Sequence, residues 1–489
     1  MSENLLAPFL AHAERQPDRI AITDARQSIT YKELADRSSE LASFLVAKGI
    51  KKDDRVLLAR PVNSGLFITL AALWRIGATI VFPEPALGLA GLKHAVDIAE
   101  PDYFLCSGKY RFLKYISKPI RHIPKHIAVG HKQVVVEKDL SETAVSADDA
   151  ALISFTSGST GQPKAIVRSH GFLLAQSKCL TPLLGQVEKD DIDLVAFPMF
   201  VVANLAIGLT SVLPDWKFSA HDKVSVSHLK AFIETHKITR ALVPPILCEA
   251  LADISGPPTL RAIFTGGGPV FPDLLKRLNQ SYPQADIVSV YGSTEAEPIS
   301  HAHFMDLTPV HFEKMKSGAG LFAGTPISEI SLRLEDEEIL VSGDHVNKGY
   351  MNGVGDAENK RKIDGLIWHR TGDAGYMDDD GLWLLGRHSA KTAGFYPFQV
   401  ETAARSWSGV SQAALCEMGG AVLALSGEEP SADAWQVNAS KIGDIIVVQL
   451  DQIPMEKRHR SKVDYVALRQ AIERAKERAK ERAKERVRH

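Results

Sequence analysis

The stretch FTSGSTGQPKAIVRSH, Phe155 to His170, begins in the apolar run ALISF and combines glycines, hydroxyl side chains and a lysine. An apolar run that ends in small residues is typical of a β-strand leading into a ligand-binding loop. The nucleotide P-loop, G-x-x-x-x-G-K-[ST], requires a glycine before its lysine and a hydroxyl after it. Here Pro163 precedes Lys164 and Ala165 follows it, and a proline donates no N–H. The stretch therefore predicts a loop that wraps a polyphosphate without the magnesium-binding hydroxyl of a P-loop; taken alone, it is also compatible with a surface turn.

Apolar runs of strand length recur along the chain and alternate with helix-like patterns. They include RIAIT, DRVLLA, TIVFP, DLVAF, RALVPP, RAIFTGG and DIVSVYG. This alternation is typical of parallel βαβ layers, and it places the loops that follow the strands at the sheet edge where α/β proteins bind ligands. We therefore predict an α/β fold with a large N-terminal domain of layered βαβ sheets.

The pattern changes from about Gly318 to short strand-like segments, among which GYMDDDGLWLLG predicts a hairpin turned by Asp and Gly. We expect a small β-barrel-like region here. A second change follows Gly386 and Arg387, where a small mixed region begins. The predicted division is an N-terminal domain over 1–386, a small mobile α+β C-terminal domain over 387–472 and a charged helical tail over 473–489.

The composition, with 45% hydrophobic and 24% charged residues, is ordinary for a globular enzyme. The formal net charge of −2 includes a basic tail, ERAKERAKERAKERVRH, and no basic stripe elsewhere suggests a nucleic-acid partner. The tail repeats every four residues, so its alanines drift around a helix of 3.6 residues per turn. It is interpreted as a solvated helix or a frayed end, or alternatively as an electrostatic contact with acidic lipid or a partner.

Cysteine usage and apolar segments point to a cytoplasmic protein without a transmembrane segment. The four cysteines are widely spaced and are expected to be buried thiols in a reducing compartment. The N-terminus lacks the features of a secretory signal. Ala196 to Pro214 lacks formal charge over the length of a membrane span, but Pro198, Asn204 and Gly208 within it favour an interior helix or a pocket wall.

Five further motifs follow the Ser/Thr/Gly loop in a fixed order. They are TGGGPV (Thr265–Val270), YGSTEAEP (Tyr291–Pro298), HRTGDAGY (His369–Tyr376), LLGRH (Leu384–His388) and IPMEKRHRSKVD (Ile453–Asp464). Over roughly residues 10–470, this ordered set resembles the adenylate-forming superfamily of acyl-CoA synthetases, peptide synthetase adenylation domains and luciferases. The resemblance implies an AMP-forming enzyme that activates a carboxylic acid with ATP and Mg²⁺ and releases pyrophosphate.

The resemblance also implies a nucleotide site. In that site the loop binds the β- and γ-phosphates. An aromatic ring stacks on adenine beside a glycine backbone. An aspartate, with an arginine nearby, binds the ribose. The residues with these implied roles are Thr156, Ser157, Gly158, Ser159, Thr160 and Lys164 for the phosphates, Tyr291, Gly292, Gly267 and Gly268 for adenine, and Asp373 with Arg387 for the ribose.

Three residues are implied to act where the first bond forms. Thr294 is implied to bind the α-phosphate, and Glu295 to hold Mg²⁺, a hard cation that prefers oxygen ligands. Lys462 matches the superfamily's lysine on the small domain, which bridges the substrate carboxylate and the α-phosphate. A positioned ammonium offsets the repulsion between these two anions.

The implied acid site lies along 200–208 and beneath the glycine motif. Its predicted residues are Phe200, Val201, Asn204 and Gly266, and their mostly apolar surroundings favour an aliphatic or aryl acid over a polar amino acid. Packing in a helical core is the alternative explanation of the same residues.

The chain departs from the superfamily at the hinge segment GRHSAKTAGFYPFQVE, where Ser389 replaces the usual Asp or Lys and Gly394 comes early. The hinge permits thioester formation in relatives, so its change bears on coenzyme A or carrier-thiol transfer more than on adenylation. FPMFVVANLAIG and the Arg458–His459 pair look like the β-lactone synthetases of the bacterial olefin pathway.

The sequence thus predicts activation of a fatty or other apolar acid, followed by acyl transfer to coenzyme A or an acyl carrier protein. One alternative is closure of a 3-hydroxy acyl-adenylate to a β-lactone. A non-catalytic nucleotide-binding scaffold is the other.

Overall fold

The computed structural model describes residues 3–83, 88–130, 142–156, 163–256, 260–428, 432–456 and 462–488. The predicted phosphate-binding residues Ser157, Gly158, Ser159 and Thr160 lie outside the described residues, as does the Arg458–His459 pair.

The strands of the described residues form sheets of six, fourteen and three strands. In chain order they are β1 (Ile20–Thr23), β2 (Ser28–Thr30), β3 (Arg55–Ala59), β4 (Thr79–Phe82), β5 (Tyr103–Ser107), β6 (Lys125–Val129), β7 (Ala150–Thr156), β8 (Lys164–Ser169), β9 (Ile192–Val195), β10 (Thr210–Val212), β11 (Arg240–Val243), β12 (Ala262–Gly266), β13 (Asp286–Ser293), β14 (Ala296–His303), β15 (Leu321–Pro326), β16 (Ser331–Glu335), β17 (Glu338–Ser342), β18 (Lys360–Ile363), β19 (Leu366–Asp378), β20 (Gly381–Arg387), β21 (Val410–Glu417), β22 (Ala421–Gly427) and β23 (Ile445–Gln449).

The six-stranded sheet has the order β6-β5-β3-β4-β7-β8. Strands β3 to β7 are parallel, and β8 pairs antiparallel with β7 so that Thr156 lies opposite Lys164. Because parallel strands end at the same edge, the residues that follow β7 leave from the carboxyl edge of this sheet.

The large sheet has the order β16-β17-β19-β20-β15-β14-β13-β12-β11-β9-β10-β1-β2, with β18 paired to β19. The segment β10-β9-β11-β12-β13 is parallel, as the apolar runs predict. From β13 to β16 the pairing is antiparallel. The short strands predicted after Gly318 therefore continue the large sheet, and the predicted hairpin is β19–β20, turned between Asp378 and Gly381.

Helices connect these strands, and most of the helices bury apolar side chains. They are α1 (Ala7–Arg15), α2 (Tyr31–Ala47), α3 (Ser64–Ile76), α4 (Gly88–Ala99), α5 (Leu113–Ile116), α6 (Lys118–Arg121), α7 (His170–Leu184), α8 (Phe200–Ile207), α9 (Val226–His236), α10 (Pro245–Ala252), α11 (Pro272–Ser281), α12 (Pro309–Lys316), α13 (Asp356–Asn359), α14 (Pro397–Ala404), α15 (Ala432–Ile442) and α16 (Tyr465–Arg488).

Local signals explain where several of these helices begin and end. Helix α2 begins at a capping box of Thr30 and Glu33, which satisfies two backbone N–H groups at its start. The Ser169 side chain, at the end of the quoted stretch, accepts from the Phe172 N–H and starts α7. Helix α3 ends at Gly77, whose φ of 78° favours glycine.

The three-stranded sheet, in the order β21-β22-β23, lies between helices. Val400 of α14 and Trp435 of α15 pack in an apolar cluster on one face of this sheet. Leu468 and Ile472 of α16 pack in the cluster on the other. Beyond Ile472 the same helix continues through the charged repeat to Arg488.

The described residues contain no helix that is both long enough and apolar enough to cross a membrane. The uncharged segment from Ala196 to Pro214 forms the short helix α8 and the strand β10. All four cysteines are buried and unpaired.

The mixed α/β architecture, with a large sheet-rich N-terminal part and a smaller C-terminal part, confirms the predicted fold class. Strand β20 ends at Arg387 and the three-stranded sheet begins at Val410. The division at 386/387 and at 472/473 stays a prediction.

Glu401 provides a stability test of the C-terminal part. This carboxyl lies in α14, is buried and accepts from the Leu415 N–H. Burial raises its pKa from 4.5 to about 7, against the effects of that hydrogen bond and of Arg405. The folded state therefore binds this proton more tightly than the unfolded state does. The resulting contribution to the free energy of unfolding is fully present below about pH 4.5 and is lost as the pH rises through about 7.

We expect Glu401→Gln to become more stable relative to the parent by about 2 kcal/mol between pH 5 and pH 8, because glutamine keeps the acceptor without the charge. Denaturant unfolding at both pH values measures this difference. Exposed Glu428→Gln is the control. A stability difference that stays constant with pH would contradict the prediction.

Candidate nucleotide and acid site

The glycine motif and the tyrosine motif lie side by side, because β12 and β13 are parallel neighbours with Gly266 opposite Val290. A Cβ atom on Gly266 would lie 2.5 Å from the carbonyl oxygen of Val290, so the two strands approach too closely for a side chain. Gly267 has a φ of +75°, and a Cβ there would contact Phe197. Gly268 follows directly, so two adjacent residues of this segment carry no side chain.

Tyr291, Asp373 and Arg387 form one polar cluster. The Tyr291 hydroxyl donates to Asp373 Oδ2 at 2.9 Å, and Arg387 Nη1 lies 3.3 Å from Asp373 Oδ1. Asp373 and Arg387 are cross-strand partners on β19 and β20, which explains how residues from two motifs meet. Burial raises the pKa of the Asp373 carboxyl, while Arg387, the Tyr291 hydrogen bond and Lys462 act in the opposite direction.

Glu295 lies in a second cluster, centred on Tyr350. The Tyr350 hydroxyl donates to Glu295 Oε1 at 2.9 Å. Lys164 Nζ lies 5.2 Å from the centroid of the Tyr350 ring, and Lys360 Nζ lies 4.9 Å from it. Two predicted residues, Glu295 and Lys164, thus meet through a tyrosine to which the sequence assigned no role. No motif spacing could have revealed this tyrosine, because it lies 55 residues from Glu295 along the chain.

Lys360 is a second cation that sequence reasoning missed. Burial lowers its pKa to about 8, although Glu295 and Asp356 act in the opposite direction. Its ammonium donates to the Asn347 carbonyl and lies 3.3 Å from Nδ1 of His369. Burial and the neighbouring Lys360 lower the pKa of His369 to about 4, so His369 is neutral at pH 7. Its Nδ1 lies 3.3 Å from the Lys360 ammonium and 3.2 Å from the Asn359 carbonyl oxygen, and the tautomer decides whether it accepts from the first or donates to the second.

Arg168, within the quoted stretch, supports the turn between β13 and β14. Its Nη2 donates to the Thr294 carbonyl at 2.8 Å, and the guanidinium is buried. Burial lowers the pKa of Arg168, and the charges of Glu297 and Glu295 oppose this effect. No sequence pattern indicates this role, because β8 and the Thr294 turn are joined only by the tertiary fold.

An apolar cavity of about 470 Å³, part of it open to solvent, lies next to Gly266 and Gly267. Helix α7 contributes leucines to its wall and Glu297 contributes a carboxyl. The lining residues are Leu180, Leu183, Leu184, Phe197, Phe200, Leu242, Phe264, Thr265, Gly266, Gly267, Val290 and Glu297.

Two of the predicted acid-site residues do not line this cavity. Val201 is fully buried within the core that packs around α2 and α3. The Asn204 side chain is also buried, and it donates to Asp193 Oδ2 at 2.8 Å and to Ser211 Oγ at 3.1 Å. These are packing and hydrogen-bonding contacts away from the cavity, whereas Phe200 and Gly266 line it. The assignment of all four residues to the acid site stays a prediction.

The remaining predicted residues lie near these clusters. Thr156 ends β7, and the exposed Thr294 begins the turn that carries Glu295. Gly292 packs closely, since a Cβ there would lie 3.0 Å from the Ala296 carbonyl oxygen. Lys462 lies in the C-terminal part, and its positive charge opposes the effect of burial, which raises the pKa of Asp373.

The residues around Glu295 fit an Mg²⁺ ion that takes most of its ligands from water and substrate phosphates. The described residues contain no group of three or more His, Cys, Asp or Glu side chains that could hold a metal. Mg²⁺ commonly takes one or two carboxylates and completes its shell with water and substrate phosphates. The Glu295 carboxylate, in a cluster that also holds Lys164 and Lys360, therefore suits an ion that arrives with a polyphosphate.

Comparisons with known proteins identify the family of this chain. Residues 9–351 match the family of the AMP-binding enzyme. An olefin β-lactone synthetase from Stenotrophomonas maltophilia is 27% identical over 476 residues, covering 86% of each chain. A 2-succinylbenzoate–CoA ligase from Bacillus licheniformis is 28% identical over 431 residues, covering 82% of this chain and 84% of the ligase. The fold matches that of O-succinylbenzoate coenzyme A synthetase from Bacillus subtilis in complex with ATP and magnesium ion, with a TM-score of 0.76, 24% identity and coverage of 94% and 99%.

The chain therefore belongs to the AMP-binding enzyme family, which confirms the resemblance to the adenylate-forming superfamily and the prediction of an enzyme. The family match and the named relatives support AMP-forming acid ligase activity.

We expect Asp373→Asn to raise the Kd for AMP about ten- to a hundredfold, because a hydrogen bond to a charged group contributes about 1.5–3 kcal/mol. Calorimetric titration with AMP measures this change. The matched control is Asp378→Asn on the same strand, whose carboxylate pairs with Lys314 at 2.9 Å. Equal AMP affinity in the two variants would remove Asp373 from the nucleotide site.

Proposed function

We propose that this enzyme activates an apolar carboxylic acid with ATP and Mg²⁺, forming an acyl-adenylate and pyrophosphate. The observation that supports this proposal is the apolar cavity next to Gly266 and Gly267, adjacent along β13 to the Tyr291–Asp373–Arg387 cluster. An acid whose tail fills the cavity would present its carboxyl where the two sites meet. The cavity volume is also within the range of small-molecule sites.

The proposed roles of the charged residues follow from the anions involved. The acid carboxylate must approach the α-phosphate of ATP, so positive charge is needed at their meeting point. Lys462 and Thr294 are proposed to act there. Lys164, with the loop from Thr156 to Thr160, is proposed to hold the departing pyrophosphate. Glu295 would hold Mg²⁺, which supplies further charge neutralisation when bound.

Two acceptors are candidates for the second step. The relatives named as 2-succinylbenzoate–CoA ligases favour transfer to a thiol, either coenzyme A or an acyl carrier protein. The relatives named as olefin β-lactone synthetases favour attack by a hydroxyl of the acid itself.

The hinge region has a specific arrangement that bears on this choice. Lys391 and Tyr396 both bind Glu337 Oε2, at 2.7 and 2.9 Å, and the His388 ring lies 2.9 Å from the Asp336 carbonyl oxygen. Ser389, at the altered hinge position, lies within this anchored segment. An anchored hinge fits an enzyme whose second step needs no rotation to a thiol, so β-lactone closure is retained as the second candidate function.

Acid-dependent ATP–pyrophosphate exchange, with fatty, 3-hydroxy fatty, aryl and amino acids, tests the proposal. Exchange with the apolar acids is expected, and mass analysis with and without coenzyme A identifies the acceptor. Exchange confined to polar amino acids would overturn the apolar assignment. Absence of exchange with every acid would favour a nucleotide-binding scaffold.

We expect Lys462→Ala to lower the exchange rate on the order of 10²–10³-fold while ATP affinity changes little, because its charge is needed only as the two anions meet. Exchange kinetics and calorimetric titration with ATP separate the two effects. Lys441→Ala, which removes an exposed ammonium that donates to Asn438, is the control. An unchanged exchange rate in Lys462→Ala would exclude this lysine from the mechanism.

A further inference from the structure

The segment that follows β5 carries a local excess of positive charge. It forms a 3₁₀-helix, Gly108–Phe112, and then the short helices α5 and α6. Residues 103–136 contain no Asp or Glu, although the whole chain has 59 of them against 57 Lys and Arg. The basic residues of this stretch are Lys109, Arg111, Lys114, Lys118, Arg121, Lys125 and Lys132. The imbalance therefore belongs to this segment and not to the chain as a whole.

The cations on these helices reach solvent. Lys109, Arg111, Lys118 and Arg121 are exposed, and Lys114 is half-buried. Among the described residues, none of these five side chains forms an ion pair with a carboxylate. Their positive charges are therefore not neutralised by the described part of the chain.

Three large apolar side chains lie on one face of this segment. Phe112, Tyr115 and Ile116 are 54%, 64% and 67% exposed. Their spacing of three and four residues places them side by side, because the backbone at Phe112 is helical and leads directly into α5. The core is filled by other residues of the segment, since Tyr110 and Leu113 pack against the apolar cluster of the six-stranded sheet. The exposed face is therefore not required by the core.

Charged groups border this apolar face directly. The Arg111 guanidinium carbon lies 5.1 Å from the centroid of the Phe112 ring, and Lys114 Nζ lies 4.9 Å from that of Tyr115. Single exposed apolar side chains are normal, whereas an apolar patch with a polar rim marks an interaction surface. We call Phe112, Tyr115 and Ile116, together with the five cations of these helices, the basic–apolar patch.

The basic–apolar patch lies on the carboxyl edge of the six-stranded sheet. It begins directly after Ser107, the last residue of β5, and β5 runs parallel to β7 in this sheet. Thr156 ends β7 at the same edge. Helix α4 packs against α6, and its His94 Nε2 lies 2.6 Å from the carbonyl oxygen of Pro163, the residue before Lys164. A partner that binds the patch therefore faces the same edge of the sheet as the predicted phosphate-binding residues.

Charge and the kind of apolar side chain decide which partner fits. The cations require an anionic partner. A stable complex with an acidic protein needs a contact of about 800 Å² on each side, which three apolar side chains do not supply. A single-stranded nucleic acid stacks on aromatic faces, but a cation lies over each ring of the patch and Ile116 has no ring. An anionic bilayer needs neither, because each cation and each inserted apolar group contributes separately to binding.

We propose that the basic–apolar patch docks this enzyme on the surface of an anionic lipid bilayer. The cations bind the lipid headgroups, and Phe112, Tyr115 and Ile116 enter the boundary between headgroups and acyl chains. This is a surface contact and needs no membrane-spanning helix. For the proposed activation of an apolar acid, docking would bring the enzyme to the phase in which such acids concentrate, but the binding itself does not depend on that activity.

Co-sedimentation of the whole chain with lipid vesicles, without substrate, tests the proposal. Vesicles of phosphatidylcholine alone are compared with vesicles of phosphatidylcholine and phosphatidylglycerol in equal amounts. We expect binding to the anionic vesicles only, with an affinity that falls as salt screens the charges. Arg111→Ala combined with Lys118→Ala should weaken binding about twentyfold, because each cation near an anionic surface contributes about fivefold. Phe112→Ser combined with Ile116→Ser should weaken it about tenfold or more by removing the inserted groups.

Val46→Ser combined with Lys48→Ala is the matched control. Val46 is 42% exposed, and Lys48 Nζ lies 5.5 Å from the centroid of the Phe44 ring. These residues lie at the opposite end of β5, since the adjacent Gly49 carbonyl accepts from the Tyr103 hydroxyl at the start of that strand. The control should bind anionic vesicles as the parent does, and an equal loss in the control would contradict the assignment. Thermal unfolding checks that each variant is folded.

The outcomes distinguish a lipid surface from other partners. Absence of binding to the anionic vesicles overturns the proposal, and so does equal binding to the neutral ones. Binding that survives in both patch variants places the lipid contact elsewhere, for example on the basic tail, and also overturns it. Binding of soluble polyglutamate or of a single-stranded oligonucleotide, without binding to vesicles, overturns it in favour of another class of partner. None of these results bears on acid-dependent exchange, so this proposal and the proposed function fail separately.

Discussion

The hydrogen bond from Arg168 to the Thr294 carbonyl joins the two large sheets at the site. Arg168 belongs to β8 of the six-stranded sheet, whereas Thr294 lies in the turn between β13 and β14 of the large sheet. Burying a guanidinium costs several kcal/mol unless nearby charges compensate. The carboxylates of Glu295 and Glu297 supply that compensation. Arg168 therefore holds the turn through a hydrogen bond, and the charges of Glu295 and Glu297 in turn stabilise the buried guanidinium.

Neighbouring backbone contacts hold this turn from other directions. Ile166 of β8 forms an antiparallel bridge with Tyr350, and Ala296 forms one with Val346. The Asn347 N–H donates to the Glu295 carbonyl at 2.7 Å. Two segments that are distant in sequence, β8 and residues 346–350, thus hold one short turn and also pair with each other. Glu295 consequently faces Tyr350 and its flanking lysines, while Glu297, two residues on, reaches the apolar cavity.

The fold was largely predictable because its signals are local. Apolar runs followed by small residues identified most of the parallel strands, and the Asp and Gly of the β19–β20 hairpin identified its turn. The acid site stays a prediction. Val201 and Asn204 lie in an apolar stretch that is compatible with either a pocket wall or a core, and the structure places both in buried packing. Composition cannot separate these two environments, because both select apolar residues.

The sequence by itself determined the adenylate-forming family, the order of the motifs and the residue types for binding a nucleotide, because each motif is a short run whose chemistry is local. Only the tertiary structure decided which groups meet: Tyr350 with Glu295, Arg168 with Thr294, and Glu297 with the apolar cavity. These pairs lie on different sheets or far apart along the chain. Their contacts depend on how strands and helices pack, a property that no single segment carries.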